Sequence, residues 1–256
     1  MIRILVAAVL LAALLLTGVA PGIAAAEKSI RLGFLDFPGS GLCRIAALQG
    51  HYREEGLKVE LVRFADNRSG LAALEHRTID AGAFEAGEVL RAIARGKGFR
   101  IIAGGSVPTA TGPLTELDPG VQQKLDLAGS VVVIPPVGAA SEKETVTRLT
   151  AALIRAYRSR QLQPDLLHND PVGSDRIISV FNPAPDYYHL ELLWRRLDLQ
   201  TAAMPPDFLA NHVYEEIYCD ALDGLLDDAP EDQVFKELSR TVVFVPDCCP
   251  KNKKAK

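Results

Sequence analysis

Apolar and polar positions form alternating blocks between residues 29 and 105, and the blocks predict strands followed by helices. Residues 29–37 largely alternate between apolar and polar side chains, which is typical of a half-buried strand. Residues 42–55 place apolar side chains at helical intervals, and Gly56 stands where a helix end favours glycine. The same reading predicts strands at residues 58–64, 78–84 and 99–103 and helices at residues 67–76 and 85–95. Short connections between such elements favour parallel strands joined by helices, so an α/β layer is expected.

The pattern changes after residue 105. Prolines and glycines punctuate residues 106–128 and indicate a loop or crossover. The apolar run Ser130–Ile134 predicts a strand that is buried on both faces. Residues 141–160 predict a long helix, with Ser141 at its N-cap and Glu144 completing a capping box. The remaining segments are a proline-rich linker at residues 163–185, a mostly helical stretch at residues 185–226 and a strand-like run at residues 241–245.

The first 26 residues have the layout of a cleavable secretory signal. Arg3 gives a positive start, an apolar run follows, and small residues end the segment at Ala26. An uncleaved membrane anchor is the alternative, but the apolar run is short for a membrane span. We therefore expect an exported, periplasmic chain that is long enough for one large domain or two small lobes.

Charge and motifs narrow the function classes further. The chain has 28 basic and 32 acidic residues, a formal charge of −4, whereas nucleic-acid binding needs a basic face. The five histidines do not form a metal-ligand motif, and no nucleophile elbow, dinucleotide fingerprint or phosphate loop is present. We therefore predict no nucleic-acid partner, no metal, no cofactor and no catalytic residues.

Four cysteines are compatible with disulfide formation in an oxidising compartment. Adjacent Cys248 and Cys249 rarely bond to each other, so we predict that one of them pairs with Cys219. Cys43 is expected near the cleft, and a free thiol there would be reactive if a helix N-terminus ionised it. A buried, inert cysteine is the alternative for this position.

A resemblance to a known family emerges from three pieces in a fixed order: GHYREEGLKVE at residues 50–60, TIDAGA at residues 78–83 and Ala94-Arg95-Gly96. With the preceding IRLGFLDF, they resemble the ABC-transporter substrate-binding proteins for nitrate, sulfonate, taurine and thiamine-precursor uptake, the SsuA/THI5-like or NMT1-like family. The clear similarity covers residues 29–105, and LTAALIRAYRS at residues 149–159 is similar to a later helix of the family.

The resemblance implies a type II periplasmic-binding fold, in which two α/β lobes close over a solute and the loaded protein docks on permease subunits in the inner membrane. This chain departs from the pattern because only one convincing strand stands between residue 105 and the long helix, so the second lobe is expected to be reduced. The expected division is a signal peptide at 1–26, a first α/β lobe at 27–106, a crossover and reduced second lobe at 107–165, and a return segment with a helical C-terminal region at 166–256.

Proteins with an open parallel sheet bind their ligands beyond the carboxyl ends of the strands, where helix N-termini offer free N–H groups. Three loops, at residues 36–43, 65–69 and 84–87, are expected there, and the resemblance implies solute contacts on the same loops. The predicted ligand-binding residues are Asp36, Ser40, Asn67, Arg68, Ser69, Phe84 and Glu85.

Most of these candidates have a structural alternative. Ser40 and Asn67 are also suitable helix caps, and Phe84 is a typical core residue. Arg68 suits a solvated surface, and Glu85 favours a helix N-terminus.

The acidic candidates Asp36 and Glu85 would repel a fully anionic solute. They favour a cationic, amino-bearing or neutral solute instead, for which a pyrimidine-type thiamine precursor is one example. The sequence thus predicts a solute-binding component of an ABC uptake system for a small nitrogen- or sulfur-containing metabolite. A single-lobe periplasmic interaction or sensor protein of the same fold is the alternative, and an enzyme is the least favoured class.

Overall fold

Five strands form one sheet in the computed structural model, which describes residues 28–35, 41–105, 129–136, 140–163, 181–197, 205 and 207–241. The strands are β1 (Lys28–Leu35), β2 (Leu57–Phe64), β3 (Ala81–Glu85), β4 (Arg100–Gly104) and β5 (Ser130–Ile134). Their order is β2-β1-β3-β5-β4, with β1 parallel to both β2 and β3. The predicted α/β class is confirmed.

The strand β5 is antiparallel to both of its neighbours, β3 and β4. All five of its residues are buried, as expected for an apolar run covered on both faces. The sequence analysis placed this run in the segment 107–165, and in the structure it lies inside the sheet formed by the strands of the first lobe. The division of the chain into segments stays a prediction.

Helices cover both faces of the sheet. They are α1 (Gly41–Leu48), α2 (His51–Glu54), α3 (Asn67–Glu75), α4 (Ala86–Ala94), α5 (Ala140–Leu162), α6 (Tyr187–Arg196), α7 (Phe208–His212), α8 (Glu215–Asp228) and α9 (Gln233–Thr241). On the first face, α1, α2 and α5 pack on the strands around Leu32 and Val132. On the second face, α3, α4 and α6 pack around Phe84 and Val131. Outside α5, a further cluster joins α8 and α9 around Tyr218 and Phe235.

The edge strand β4 is covered by the chain that enters α8. Ile101 forms a parallel bridge with Val213, and the Tyr214 amide donates a hydrogen bond to the Ile101 carbonyl over 2.8 Å. The helical C-terminal region therefore closes one edge of the sheet that would otherwise be open to pairing with another chain.

Two predicted boundaries are wrong for identifiable reasons. The predicted helix 42–55 is interrupted at Gly50, which has φ of 79° and separates α1 from α2. The strand predicted from residue 78 begins at Ala81, because Arg77 has φ of 54° and turns the chain. Arg31 on β1 holds that turn through an ion pair with Asp80 at 3.1 Å and a hydrogen bond to the Arg77 carbonyl.

Two further predictions fail near the ends of helices. Because α5 begins at Ala140, Ser141 lies inside the helix and not at its N-cap. Thr241, predicted to start a strand, ends the helix α9, and residues 242–245 lie outside the described residues.

Several predictions concern segments that the structure does not describe. The signal segment 1–26 and Cys248 and Cys249 lie outside the described ranges, whereas Cys219 is buried in α8. The pairing of Cys219 therefore stays a prediction. Among the described residues, no helix has both the length and the apolar character needed to cross a bilayer.

Candidate functional site

The carboxyl ends of β1, β2, β3 and β4 lie at one edge of the sheet, together with the start of the antiparallel β5. We call it the carboxyl edge; its terminal strand residues are Leu35, Phe64, Glu85, Gly104 and Ser130. The loops predicted to contact a solute leave the sheet here, as the parallel order requires.

Two of the predicted residues meet at this edge. The Asn67 side-chain oxygen accepts a hydrogen bond from the Glu85 backbone amide over 3.1 Å, and the Asn67 amide also bonds to the Glu85 carboxyl group. The first residue of α3 is thus joined to the last residue of β3. The loops at 65–69 and 84–87 are therefore in contact at the carboxyl edge, and their binding of a solute stays a prediction.

Glu85 occupies the N-cap position of α4, yet its side chain makes no capping hydrogen bond among the residues that the structure describes. Burial, reinforced by the neighbouring Glu88 carboxylate, raises the pKa of Glu85, and its contacts with Asn67 and Arg91 offset only part of this effect. A half-buried carboxyl group held at a loop junction with a raised pKa is a typical feature of functional sites.

The other residues of the second loop have different roles. Asp66, and not Asn67, is the N-cap of α3, because its carboxylate accepts a hydrogen bond from the Ser69 amide over 2.7 Å. The Ser69 hydroxyl donates to the Asp66 carbonyl over 3.0 Å, and Arg68 is exposed. The backbone amide of Ser69 is therefore already occupied by a cap. Asp36 and Ser40 lie outside the described residues.

Phe84 is a core residue in this structure. Its side chain is fully buried on the second face of the sheet, with an edge-on contact to Phe64 at a ring separation of 6.4 Å. A Cβ atom added to Gly70 or Gly82 would lie 2.3 or 2.1 Å from the Phe84 ring, so both glycines make room for it. Its predicted solute contact has no support from its position, and the core alternative describes it.

The structure adds two polar residues that the sequence analysis did not single out. Ser130 is fully buried and pairs directly with Glu85 across β3 and β5. Arg44 is buried in the first turns of α1. The sequence could have indicated Ser130, because a serine at the start of an otherwise apolar strand is unusual. Nothing in the local sequence pattern indicates that Arg44 is buried.

The return segment covers the β4 side of the carboxyl edge. The Gly104 amide donates to the Pro183 carbonyl over 3.0 Å, and the Asp186 amide donates to the Gly104 carbonyl over 3.2 Å. Gly104 and Gly105 have φ of 87° and 107°, and a Cβ on Gly105 would lie 2.9 Å from Leu190 on α6. The return segment and α6 therefore occupy the part of the carboxyl edge beside β4.

Two cavities lie at the opposite edge of the sheet, where β1 and β3 begin. One has a volume of about 200 Å³ and the other about 340 Å³, and both are lined in part by Arg77, Pro135 and Pro136. Their walls carry charges of both signs. These cavities are separate from the residues predicted to bind a solute.

Cys43 is buried in α1, and the Tyr52 hydroxyl donates to its backbone carbonyl over 3.1 Å. Burial raises the pKa of the Cys43 thiol to about 12. The thiol is therefore protonated at neutral pH and lacks the thiolate that cysteine reactivity requires.

His51 connects α2 to α5. Its Nδ1 lies 2.9 Å from the Glu54 carboxylate, and its Nε2 lies 2.9 Å from the Ser159 hydroxyl. The order of groups is that of a serine–histidine–carboxylate triad, but Ser159 lies in the regular helix α5 and lines neither of the two cavities. We interpret the contact as a link between packed helices. In the part of the chain that is described, no three His, Cys, Asp or Glu side chains are grouped to hold a metal ion.

Known proteins share both the sequence pattern and the fold. Residues 43–153 match the model of the family described as NMT1/THI5 like. No curated protein matches the chain in sequence.

Among solved structures, the ligand-binding component of an ABC-type import system from Staphylococcus aureus, with zinc bound, is 12% identical. That similarity covers 76% of this chain and 99% of the other, with a TM-score of 0.56. The periplasmic nitrate-binding protein NrtA from Synechocystis is 11% identical over 80% of this chain and 91% of its own, with a TM-score of 0.56.

A Candida albicans gene product with the generic periplasmic binding protein fold is 11% identical, over 73% of this chain and 96% of its own, with a TM-score of 0.55. At these identities the likeness concerns the fold. The resemblance predicted from the sequence is confirmed: over residues 43–153 the chain matches the NMT1/THI5-like family, and it has the fold of the periplasmic binding proteins.

Proposed function

We propose that this chain is a periplasmic solute-binding component of an ABC uptake system for a small nitrogen- or sulfur-containing metabolite. The observation that carries the proposal is the joining of Asn67 and Glu85 at the carboxyl edge. A half-buried carboxyl group there, fixed by a hydrogen-bonded amide, is the kind of polar group that orients a small ligand. The family match and the binding proteins that share the fold support the same role.

The predicted signal at residues 1–26 supports export to the periplasm, and permease subunits in the inner membrane are the proposed partners. The formal charge of −4 argues against nucleic acid as a partner, because binding to phosphates needs a basic surface. Binding of a solute without turnover agrees with a Cys43 thiol whose pKa of about 12 keeps it protonated.

Native mass spectrometry of protein purified from the periplasm tests the proposal. We expect a retained small-molecule mass at one per chain, and a rise in melting temperature when that molecule is added back, because a ligand that binds only the folded state stabilises it. A panel of nitrate, taurine and an aminopyrimidine then separates solute classes. If the purified protein retains no solute and none of the added solutes binds, the result counts against the proposal.

A second candidate, a single-lobe interaction or sensor protein, is favoured by one observation. The return segment and α6 occupy the carboxyl edge beside Gly104 and Gly105, which leaves less of that edge for a solute. Proximity labelling in the periplasm distinguishes the two: an ABC permease among the labelled proteins supports uptake, and a different inner-membrane protein together with no solute binding supports the second candidate.

A further inference from the structure

Ser130 lies directly opposite Glu85 in the antiparallel ladder of β3 and β5. Opposite residues of such a pair project from the same face, with Cβ atoms about 4.5–5.5 Å apart. Two positions earlier, Ala83 pairs with Val132, and both belong to the core of the first face. Glu85 and Ser130 therefore stand side by side on that face, at the carboxyl edge.

The Ser130 hydroxyl is an unusual group. Its side chain is fully buried, and within the described part of the chain its Oγ has no hydrogen-bond partner. Native proteins leave few buried hydroxyl groups without a partner, because each one lost its bonds to water on folding. An unpartnered hydroxyl on the residue opposite a half-buried glutamate offers a hydrogen-bonding group that a ligand could use.

We propose that Ser130 and Glu85 form one subsite for a solute that carries a planar N–H donor group, namely an amidine, a guanidine or an amide. This inference rests on the function proposed above and names its substrate class. Glu85 accepts N–H hydrogen bonds in the parallel geometry that planar donors favour, and the Ser130 hydroxyl accepts from the adjacent N–H. Asn67 fixes the Glu85 backbone so that the carboxyl group is positioned before the solute arrives.

Acceptor-only solutes do not fit this pair of groups. A carboxylate, nitrate or sulfonate brings no N–H donor and places an anion against Glu85. Because Ser130 is closed to solvent, a solute reaches it only when the carboxyl edge opens, so binding selects an open state of the protein.

The test compares acetamidinium with acetate, two planar ions of similar shape and opposite charge. Binding at millimolar concentration is measured by ligand-detected NMR on the full chain, with Ser130→Ala and Glu85→Gln as variants. Ser239→Ala, on α9, is the matched control, because its hydroxyl donates to the Lys236 carbonyl within the same helix. We expect acetamidinium to bind in preference to acetate, and each site variant to weaken it about tenfold, the effect of one hydrogen bond to a charged group.

The stability of Ser130→Ala gives an independent readout. A hydroxyl that serves the fold would lower the melting temperature when it is removed, whereas the unpartnered hydroxyl of this proposal leaves it unchanged or raises it. Acetamidinium binding that is equal in the wild type and Ser130→Ala overturns the inference.

The two proposals fail in different ways. If purified protein retains a solute, and that binding is insensitive to both site variants, the uptake function stands and the subsite is wrong. If neither acetamidinium nor any retained or added solute binds, both proposals are wrong.

Discussion

Asn67 and Glu85, 18 positions apart in the sequence, are joined where the amide of Glu85 donates to the side-chain oxygen of Asn67 over 3.1 Å. The bond fixes the first residue of α3 to the last residue of β3. Because Glu85 also begins the connection into α4, one side chain positions the ends of three elements. The site at the carboxyl edge thus depends on a polar contact and not only on the packing of the core.

Replacing Asn67 should therefore loosen the site. We expect Asn67→Ala to lower the free energy of unfolding by about 1–2 kcal/mol, since it leaves a part-buried amide without its acceptor. Urea unfolding monitored by circular dichroism measures this, with the exposed Asn211→Ala on α7 as control. Equal stability of the two variants would show that the contact does not hold the loops together.

Removing the charge of Glu85 should stabilise the protein while it impairs solute binding. The pKa of Glu85 is raised above its ordinary value of about 4.5, so the folded state binds the proton more tightly than the unfolded state. That contribution to stability is complete below pH 4.5 and is lost as the pH rises through the folded-state pKa. We expect Glu85→Gln to be more stable than the wild type at pH 7, with a difference that shrinks toward pH 4.

Chemical denaturation from pH 4 to pH 8 checks this prediction. Glu144→Gln is the matched control, because Glu144 is an exposed residue of α5 paired with Arg148. A Glu85→Gln variant that is less stable than the wild type at pH 7 would show that the carboxylate serves the fold.

Local patterns were sufficient to predict the order and type of the strands and helices between residues 29 and 105, because blocks of strand-like and helix-like spacing alternate there. The same reasoning brought Asn67 and Glu85 to one edge, since parallel strands must share that edge. It did not give the direction or the neighbours of the strand Ser130–Ile134, because an apolar run indicates only burial on both faces. The pairing of Ser130 with Glu85 could therefore not be predicted, although a serine at the start of an apolar strand stands out in the sequence.

Element boundaries were less predictable than the elements themselves. β3 begins three residues after its predicted start, because Arg31, on a different strand, forms an ion pair with Asp80 and donates a hydrogen bond to the Arg77 carbonyl. Ser141 matched a capping box by spacing, yet α5 extends past it to Ala140. A contact between Arg31 and Asp80, 49 positions apart, is absent from any short window of the sequence.

The approach of α3 to the sheet depends on Gly70. A Cβ at this position would lie 2.3 Å from the Phe84 ring, which cannot move away because it is fully buried. We expect Gly70→Ala to destabilise the protein by about 1–3 kcal/mol, the usual cost of overpacking. Thermal unfolding measures it, and Phe84→Leu in the same background should recover part of the loss by freeing space.

Gly224→Ala is the control for Gly70→Ala. Gly224 lies inside α8, and no described side chain comes within 4 Å of the added Cβ, so alanine should stabilise that helix by about 0.5–1 kcal/mol. A Gly70→Ala variant that is equally stabilised would mean that α3 shifts without cost.

Cys43 should be inert in the folded protein. Its thiol is fully buried, and a pKa of about 12 leaves almost no thiolate at pH 8. We expect iodoacetamide to leave Cys43 unmodified under native conditions and to alkylate it after unfolding in urea, as read by peptide mass spectrometry. Rapid alkylation of Cys43 in the folded protein would show that the thiol is accessible and reactive, contrary to this prediction.

His212 should make the protein sensitive to mild acid. Burial, with a further effect of the Arg100 guanidinium, lowers the pKa of His212 below its ordinary value of 6.5, and its hydrogen bond to the Phe99 carbonyl opposes this. Above pH 6.5 the imidazole is neutral in both states and has no effect on the pH dependence. As the pH falls below 6.5 the unfolded state gains the proton first, so stability decreases until the folded state is protonated as well.

His212→Asn should remove this loss, because an asparagine amide can donate to the Phe99 carbonyl, which lies 3.1 Å from Nδ1 of the imidazole, without taking up a proton. Urea unfolding at pH 7.5, 6.5, 5.5 and 5.0 measures the effect, with the exposed His76→Asn as the control for removing a histidine. If the wild type and His212→Asn lose stability in parallel below pH 6.5, the neutral imidazole does not control the packing of α7 against β4.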